Sequence, residues 1–344
     1  MTHHRRTARR THHIGRALAT IALLPGAVGV DARDPEPSPP AEFHVYEATR
    51  HEGTGYLART AGVVTLDLSD PLGARELGRL NLPTTVYDME VRGDRGLLAA
   101  GRHGLMIADF SDPAAPTVLS TFDTPGSVRQ VLSRGQHVFL ADDAGGLRVI
   151  DISDPLRPRQ VASQSTRGRL RALALSGSRL ATAEGLAGAG LFEVQHSDAP
   201  RRIDSIADAE GARDVVIVGE TLVVACGRRG VRTYRLVAGG RVQRGAAIET
   251  ASPALAVVAL GTDRVLVARG SAGMMVLDLS DPARPIEVSQ LKLPRRYPVE
   301  RITLDGDLAF IASGLRGFAV VDVETPTAPR TIVPKERAVR VTFP

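Results

Sequence analysis

The sequence predicts an all-β fold, a seven-bladed β-propeller of four-stranded antiparallel blades with a repeat of about 42 residues. Three observations carry that expectation. One short segment recurs along the chain, its recurrences are evenly spaced, and the stretches between them alternate as short strands and turns with no helical period.

The recurring segment reads GVVTLDLSDP (62–71), GLMIADFSDP (104–113), GLRVIDISDP (146–155), GMMVLDLSDP (273–282) and GFAVVDVETP (317–326). Two diverged copies, GAGLFEVQHSDAP (188–200) and GVRTYRLVAGG (230–240), fill the gap. Equivalent positions fall at Asp67, Asp109, Asp151, Glu193, Arg235, Asp278 and Asp322, in steps of 42 to 44 residues, with Arg235 the departure from an acid. Seven copies imply seven blades.

Each unit has a fixed internal order. In the second, VYDMEV (86–91) is followed by the turn RGDR, then GLLAAG (96–101), a short loop, LMIADFS (105–111), an Asp-Pro turn and TVLSTF (117–122). These are four aliphatic or β-branched runs joined by tight turns, the pattern of one antiparallel sheet. The glycine opening each recurring segment permits a positive φ. In Ser-Asp-Pro, short polar side chains accept backbone N–H groups, and proline fixes φ and stops the strand. A calcium loop would need a bidentate acid downstream, and none follows. Strands apolar on both faces suit sheets stacked around an axis.

These segments resemble the LVIVD repeat, a bacterial and archaeal β-propeller repeat of exported and surface proteins related to the YVTN-type propellers. GLRVIDISDP and GMMVLDLSDP are similar to its core signature, and the likeness extends over roughly residues 44 to 333. The resemblance implies a fold and a location, and no single activity. Without tryptophan the chain does not read as the WD40 type.

Residues 1–32 read as a signal peptide: five arginines, then an apolar run over residues 17–30, then small residues at a cleavage site. That run contains Pro25 and Gly26, too short and broken for a membrane span, so no transmembrane helix is expected. Four prolines make residues 33–43 a Pro-rich linker, leaving 44–344 for the propeller. The expected location is outside the cytoplasm: periplasmic, cell-surface or extracellular. The formal charge of +5 resides mainly in the leader, which holds five arginines and one acid, so a nucleic-acid partner loses its electrostatic basis. Cys226 is the single cysteine, which excludes an intrachain disulfide.

Two segments compete for the inner strand of blade one. HVYEAT (44–49) aligns with that position, and so does AVRVTF (338–343), which would lock the ring from the other end of the chain.

With the innermost strand first in each unit, the loops leading into inner strands share a face with the loops between strands two and three, beside the channel. Arg129, Arg171 and Arg213 stand at equivalent positions there, with Tyr87, Leu255 and Glu300 as counterparts. The adjacent register holds Asp88, Gln130, Asp214 and Arg301, with Ala172 and Ala256 between. Three arginines together can hold a carboxylate or phosphate. The competing expectation is that they form scaffold ion pairs with Asp88, Asp214 and Glu300. His103 and the other charged loop tips (Asp143, Arg228, Arg229) are further candidates for ligand contact.

No metal-ligand spacing, nucleophile motif, phosphate loop or dinucleotide fingerprint occurs, so neither metal nor cofactor is expected. The expected function is a monomeric, exported, non-catalytic propeller that binds a protein or a small anionic ligand at the channel face. The alternative is a propeller enzyme (a hydrolase, lyase or oxidoreductase) with a polar site at the channel mouth.

Overall fold

Each apolar run forms a strand, and each glycine- or Ser-Asp-Pro-containing segment turns the chain back. The computed structural model describes residues 44–333, apart from 70–73, 238–239 and 294–297. Its 28 strands form seven four-stranded antiparallel sheets, each with its strands in chain order. Blade one is β1–β4 (residues 45–81), blade two β5–β8 (88–122), blade three β9–β12 (130–164) and blade four β13–β16 (172–206). Blade five is β17–β20 (214–248), blade six β21–β24 (256–291) and blade seven β25–β28 (301–333).

The inner strands are β1 (Val45–His51), β5 (Asp88–Arg92), β9 (Gln130–Arg134), β13 (Ala172–Ser176), β17 (Asp214–Val218), β21 (Ala256–Leu260) and β25 (Arg301–Asp305). Each packs against the next, and β25 packs against β1, so the ring closes.

The core is divided among the interfaces. Seven apolar clusters occur, one between each neighbouring pair of blades. Strand alternation explains the division. In β10 (His137–Ala141), Val138 and Leu140 face blade two, while Phe139 and Ala141 face blade four. Both faces of a sheet are therefore apolar, and outer strands such as β12 (Arg159–Gln164) are left largely exposed. Each third-to-fourth-strand pairing carries a register shift. In blades two, three, four and six the residue skipped by the bulge is Leu119, Val161, Ile203 or Val288, aimed back onto an interface cluster.

The Asp-x-Ser-Asp-Pro segments are strand-ending turns. Ser69, Ser111, Ser153 and Ser280 donate their backbone N–H to the Oδ1 of Asp67, Asp109, Asp151 and Asp278 at 2.8–3.0 Å. An arginine eight residues on clamps the same carboxylate in Asp67–Arg75, Asp151–Arg159 and Asp322–Arg330 (2.8–3.1 Å). The turn also links blades: Thr65, Ser120, Thr233 and Ser289 donate their hydroxyls to the carbonyl oxygens of Pro113, Pro155, Pro282 and Pro326 in the following blade (2.5–2.9 Å).

Residues 45–51 supply the inner strand of blade one; the competing segment 338–343 lies outside the described residues. Among the described residues, blades seven and one meet through a single backbone bridge and side-chain contacts. Val45 N–H donates to Gly314 O (3.0 Å), repeating the Val128-to-Gly101 and Ala254-to-Gly227 bonds made where the chain is continuous. An Arg50–Asp305 pair (2.6 Å) and a cluster containing Val45, Leu57, Phe310 and Phe318 complete the seam.

Two glycines test how tightly the hairpins pack. A Cβ on Gly230 (φ +75°) would lie 2.1 Å from Ile248 O, whereas one on Gly219 (φ +56°) meets nothing within 4 Å. Gly219→Ala should cost about 1–2 kcal/mol for the left-handed backbone alone. Gly230→Ala should cost about 1–3 kcal/mol beyond that for the clash, measured by denaturant unfolding.

Candidate functional site at the channel mouth

The inner strands are sheet edges, and an edge leaves N–H groups that need partners. Here the neighbouring blade supplies them. Asp88 Oδ2 accepts Val131 N–H (2.9 Å), Gln130 Oε1 accepts Leu173 N–H (2.6 Å) and Asp214 Oδ2 accepts Val257 N–H (2.9 Å). The acceptor lies 43 residues before its donor each time, one blade back at the same register. Blade four has Ala172 there and offers no acceptor, so the Oδ1 of Asp214 takes its own neighbour's Val215 N–H (2.9 Å).

Arg301 sits among these carboxylates. Its Nε contacts Glu47 Oε2 (2.5 Å) and its Nη2 contacts Asp88 Oδ1 (3.2 Å), so one guanidinium of blade seven ties blades one and two. Thr303 donates its hydroxyl to Glu47 as well. Glu47, Asp88 and Asp214 are nearly inaccessible to solvent. One cation cannot neutralise three buried carboxylates, so protonation is favoured. Burial raises the pKa of Glu47 and of Asp214. Burial, reinforced by the nearby Glu47, also pushes Asp88 up, to about 8, against the pull of Arg301.

The other register, one residue earlier, forms the mouth itself. Around it run Tyr46, Tyr87, Arg129, Arg171, Arg213, Leu255 and Glu300. Several of these side chains lie over the inner hairpin of their own blade: Arg171 Nε is 3.5 Å, and Arg213 Nε 3.1 Å, from where a Cβ on Gly185 or Gly227 would stand. The mouth is uneven. Tyr46 packs against His44 (4.3 Å between ring centroids) and edge-on to Tyr87 (5.0 Å). Arg129 stacks over Tyr87 at 4.2 Å and reaches Asp143 at 3.7 Å. Arg169, in the loop before β13, also pairs with Asp143 (3.1 Å). Glu300 pairs with His44 (3.4 Å). Arg171 and Arg213 are exposed, and no carboxylate among the described residues pairs with either.

The sequence candidates thus separate into two layers. Asp88, Asp214 and Arg301 belong to the buried layer, bound to backbone and to one another. Arg129, Arg171, Arg213 and Glu300 belong to the mouth, and His103 is exposed at the tip of the hairpin between β6 (Arg95–Ala99) and β7 (Leu105–Asp109). The ion pairs expected between the arginines and Asp88, Asp214 or Glu300 are not the ones formed, because those acids are occupied by Arg301, backbone N–H groups and His44. Sequence reasoning missed Glu47, which a bulge between Val45 and Glu47 brings into the buried register, and Tyr46. It also missed the pairing role of Asp143. Cys226 is buried, which pushes its thiol up to about 12 and leaves no reactive thiolate. Among the described residues, no cluster could hold a metal ion, and no helix is long and apolar enough to cross a membrane.

The LVIVD repeat model matches residues 86–124, 125–166, 258–292 and 298–333. No curated protein matches the sequence significantly. Among solved structures, a chain of the mitotic checkpoint complex is similar at 15% identity, covering 87% of this chain and 96% of that one, with TM-score 0.66. Virginiamycin B lyase from Staphylococcus aureus is similar at 14% identity, with 79% and 92% covered and TM-score 0.61. A hypothetical selenium-binding protein from Sulfolobus tokodaii is similar at 9% identity, with 82% and 90% covered and TM-score 0.64. At these identities the likeness is one of fold.

The buried layer makes stability depend on pH with a definite sign. Folded Asp88 titrates near 8 and unfolded Asp88 near the ordinary value of 3.8, so the folded state holds the extra proton between them and loses stability as pH rises across that interval. Asp88→Asn keeps an acceptor for Val131 N–H and should flatten the decline in thermal stability between about pH 4 and 8. The turn acids act oppositely. Ser69 and Arg75 hold Asp67 down at about 2, and Ser153 N–H with Arg159 does the same for Asp151, so their contribution is lost as pH falls from about 4 to 2. Arg301→Ala, which removes the guanidinium bonded to Glu47 and Asp88, should cost about 1–3 kcal/mol at neutral pH in denaturant titrations.

Proposed function

We propose that this β-propeller, four of whose blades match the LVIVD repeat model, serves outside the cytoplasm as a non-catalytic binding module with the channel mouth as its receptor surface. The observation that carries this reading is the pair Arg171 and Arg213: adjacent blades, equivalent positions, exposed, and without a carboxylate among the described residues. Other mouth charges, Arg129, Arg169 and Glu300, have internal partners. Two unneutralised guanidinium groups on a rigid rim are preorganised for a carboxylate- or phosphate-bearing ligand, offered by a protein or a small molecule. Export rests on the basic, apolar leader over residues 1–32 and the Pro-rich linker over 33–43.

A non-catalytic role is supported by what the titratable groups are already doing. The carboxylates with raised pKa are engaged by Arg301 and by backbone N–H groups beneath the mouth, and the single thiol is buried and protonated. An enzyme of this fold would need a nucleophile or an acid–base pair open to the channel mouth.

The test is a ligand screen and pull-down with the purified protein beside Arg171→Ala/Arg213→Ala. Loss of both charge-assisted contacts should weaken binding by about 100-fold or more. Ligands retained equally by the double variant would refute the mouth as the receptor surface.

A further inference from the structure

One position on the mouth breaks a rule that five of the other blades keep. In the inner hairpins of blades two, four, five, six and seven the equivalent residue is Gly101, Gly185, Gly227, Gly270 or Gly314, each with φ between +55° and +62°. In blade three it is Asp143, at φ +45°. Aspartate visits this region more readily than most residues, yet glycine does so without cost. A locally disfavoured residue that persists needs something in exchange. What Asp143 obtains is the pair of arginines Arg129 and Arg169, held at 3.7 and 3.1 Å.

That clamp divides the cationic arc. Arg129 and Arg169 share the single carboxylate of Asp143, while Arg171 and Arg213 have no carboxylate partner among the described residues. An apolar element lies beside it: Arg171 rests over Gly185, and the next residue of that hairpin, Leu186, is 83% exposed, the most exposed large apolar side chain described. The aromatic side of the mouth is already in use, since Arg129 covers a face of Tyr87 and Tyr46 packs between Tyr87 and His44. No stack of open rings is offered to a sugar. Uncompensated guanidinium groups beside a bare leucine complement a ligand that carries carboxylates and an apolar side chain on one chain.

We propose that the mouth over blades four and five docks an acidic peptide segment of a partner protein, its carboxylates on Arg171 and Arg213 and an apolar side chain against Leu186. Asp143 sets selectivity by keeping Arg129 and Arg169 out of that site. The proposal rests on the binding-module reading and supplies its partner class.

The test measures fluorescence anisotropy of a labelled peptide of glutamates interrupted by leucines, with the full protein. Comparison probes are the same peptide with serines for leucines, a glutamine-for-glutamate version, and polygalacturonate as an acidic glycan. The glutamate–leucine peptide should bind best, lose about 100-fold in affinity with Arg171→Ala/Arg213→Ala and lose a few-fold with Leu186→Ser. Asp143→Gly should unfold at the same or a higher temperature than the parent while binding acidic probes more tightly and with less preference for the leucine-containing one. If polygalacturonate binds through Arg171 and Arg213 and the peptide does not, the module reading stands and the peptide proposal falls. If neither probe depends on the two arginines, both fall. If Asp143→Gly lowers stability and leaves every affinity unchanged, Asp143 is a scaffold residue and its selectivity role is wrong.

Discussion

Every sheet of this ring is buried on both faces, and its first strand is a bare edge at the axis. The first condition is met by alternation: successive residues of one strand feed two different interfaces, so the core is partitioned into seven clusters. The second condition is harder, because the outward-turned N–H groups of a first strand have no further strand to pair with. The solution is to take acceptors from the blade before, through Asp88, Gln130 and Asp214. Asp88 and Asp214 thus serve the same edge-pairing duty as the neutral Gln130, and charge in this register carries no functional message by itself.

The layer above is free of that duty. Residues at the mouth lie outside the edge ladder, so their identity varies from tyrosine to arginine to leucine to glutamate without loss of the scaffold. The two layers are one residue apart in sequence, yet one is committed to folding and the other open to recognition. Arg301 shows how sharp the border is. It is an arginine next to the mouth, but its guanidinium points at Glu47 and Asp88 and is consumed in joining blades.

Most of the fold was legible in the sequence because the repeat is written in turn chemistry. Asp67-x-Ser69 and its copies specify a local side-chain-to-backbone bond that needs no distant partner. Blade number and strand order followed from the spacing. The mouth was legible as a set of positions, including Arg129, Arg171 and Arg213, but not as a set of partners. Whether an arginine is free depends on residues that the ring brings alongside, such as Asp143 beside Arg129 and Arg169. Nor could the spacing choose between residues 44–49 and 338–343, since both fit the periodic position; contact with Gly314 and Asp305 distinguishes the first. Glu47 was hidden by a bulge, which shifts register without leaving a mark in composition.

The seam between blades seven and one is made of the same parts as the interfaces the chain crosses: an apolar cluster, one backbone bridge and side-chain bonds between inner strands. Among the described residues, each sheet is built from four strands consecutive in the chain. Among the described residues, no interface marks blade one as different in kind from the others. A gene that joined blade seven back to blade one and opened between any other two blades would encode every described interaction unchanged, so the ring is topologically indifferent to its own ends and can be re-cut or re-spliced at blade boundaries.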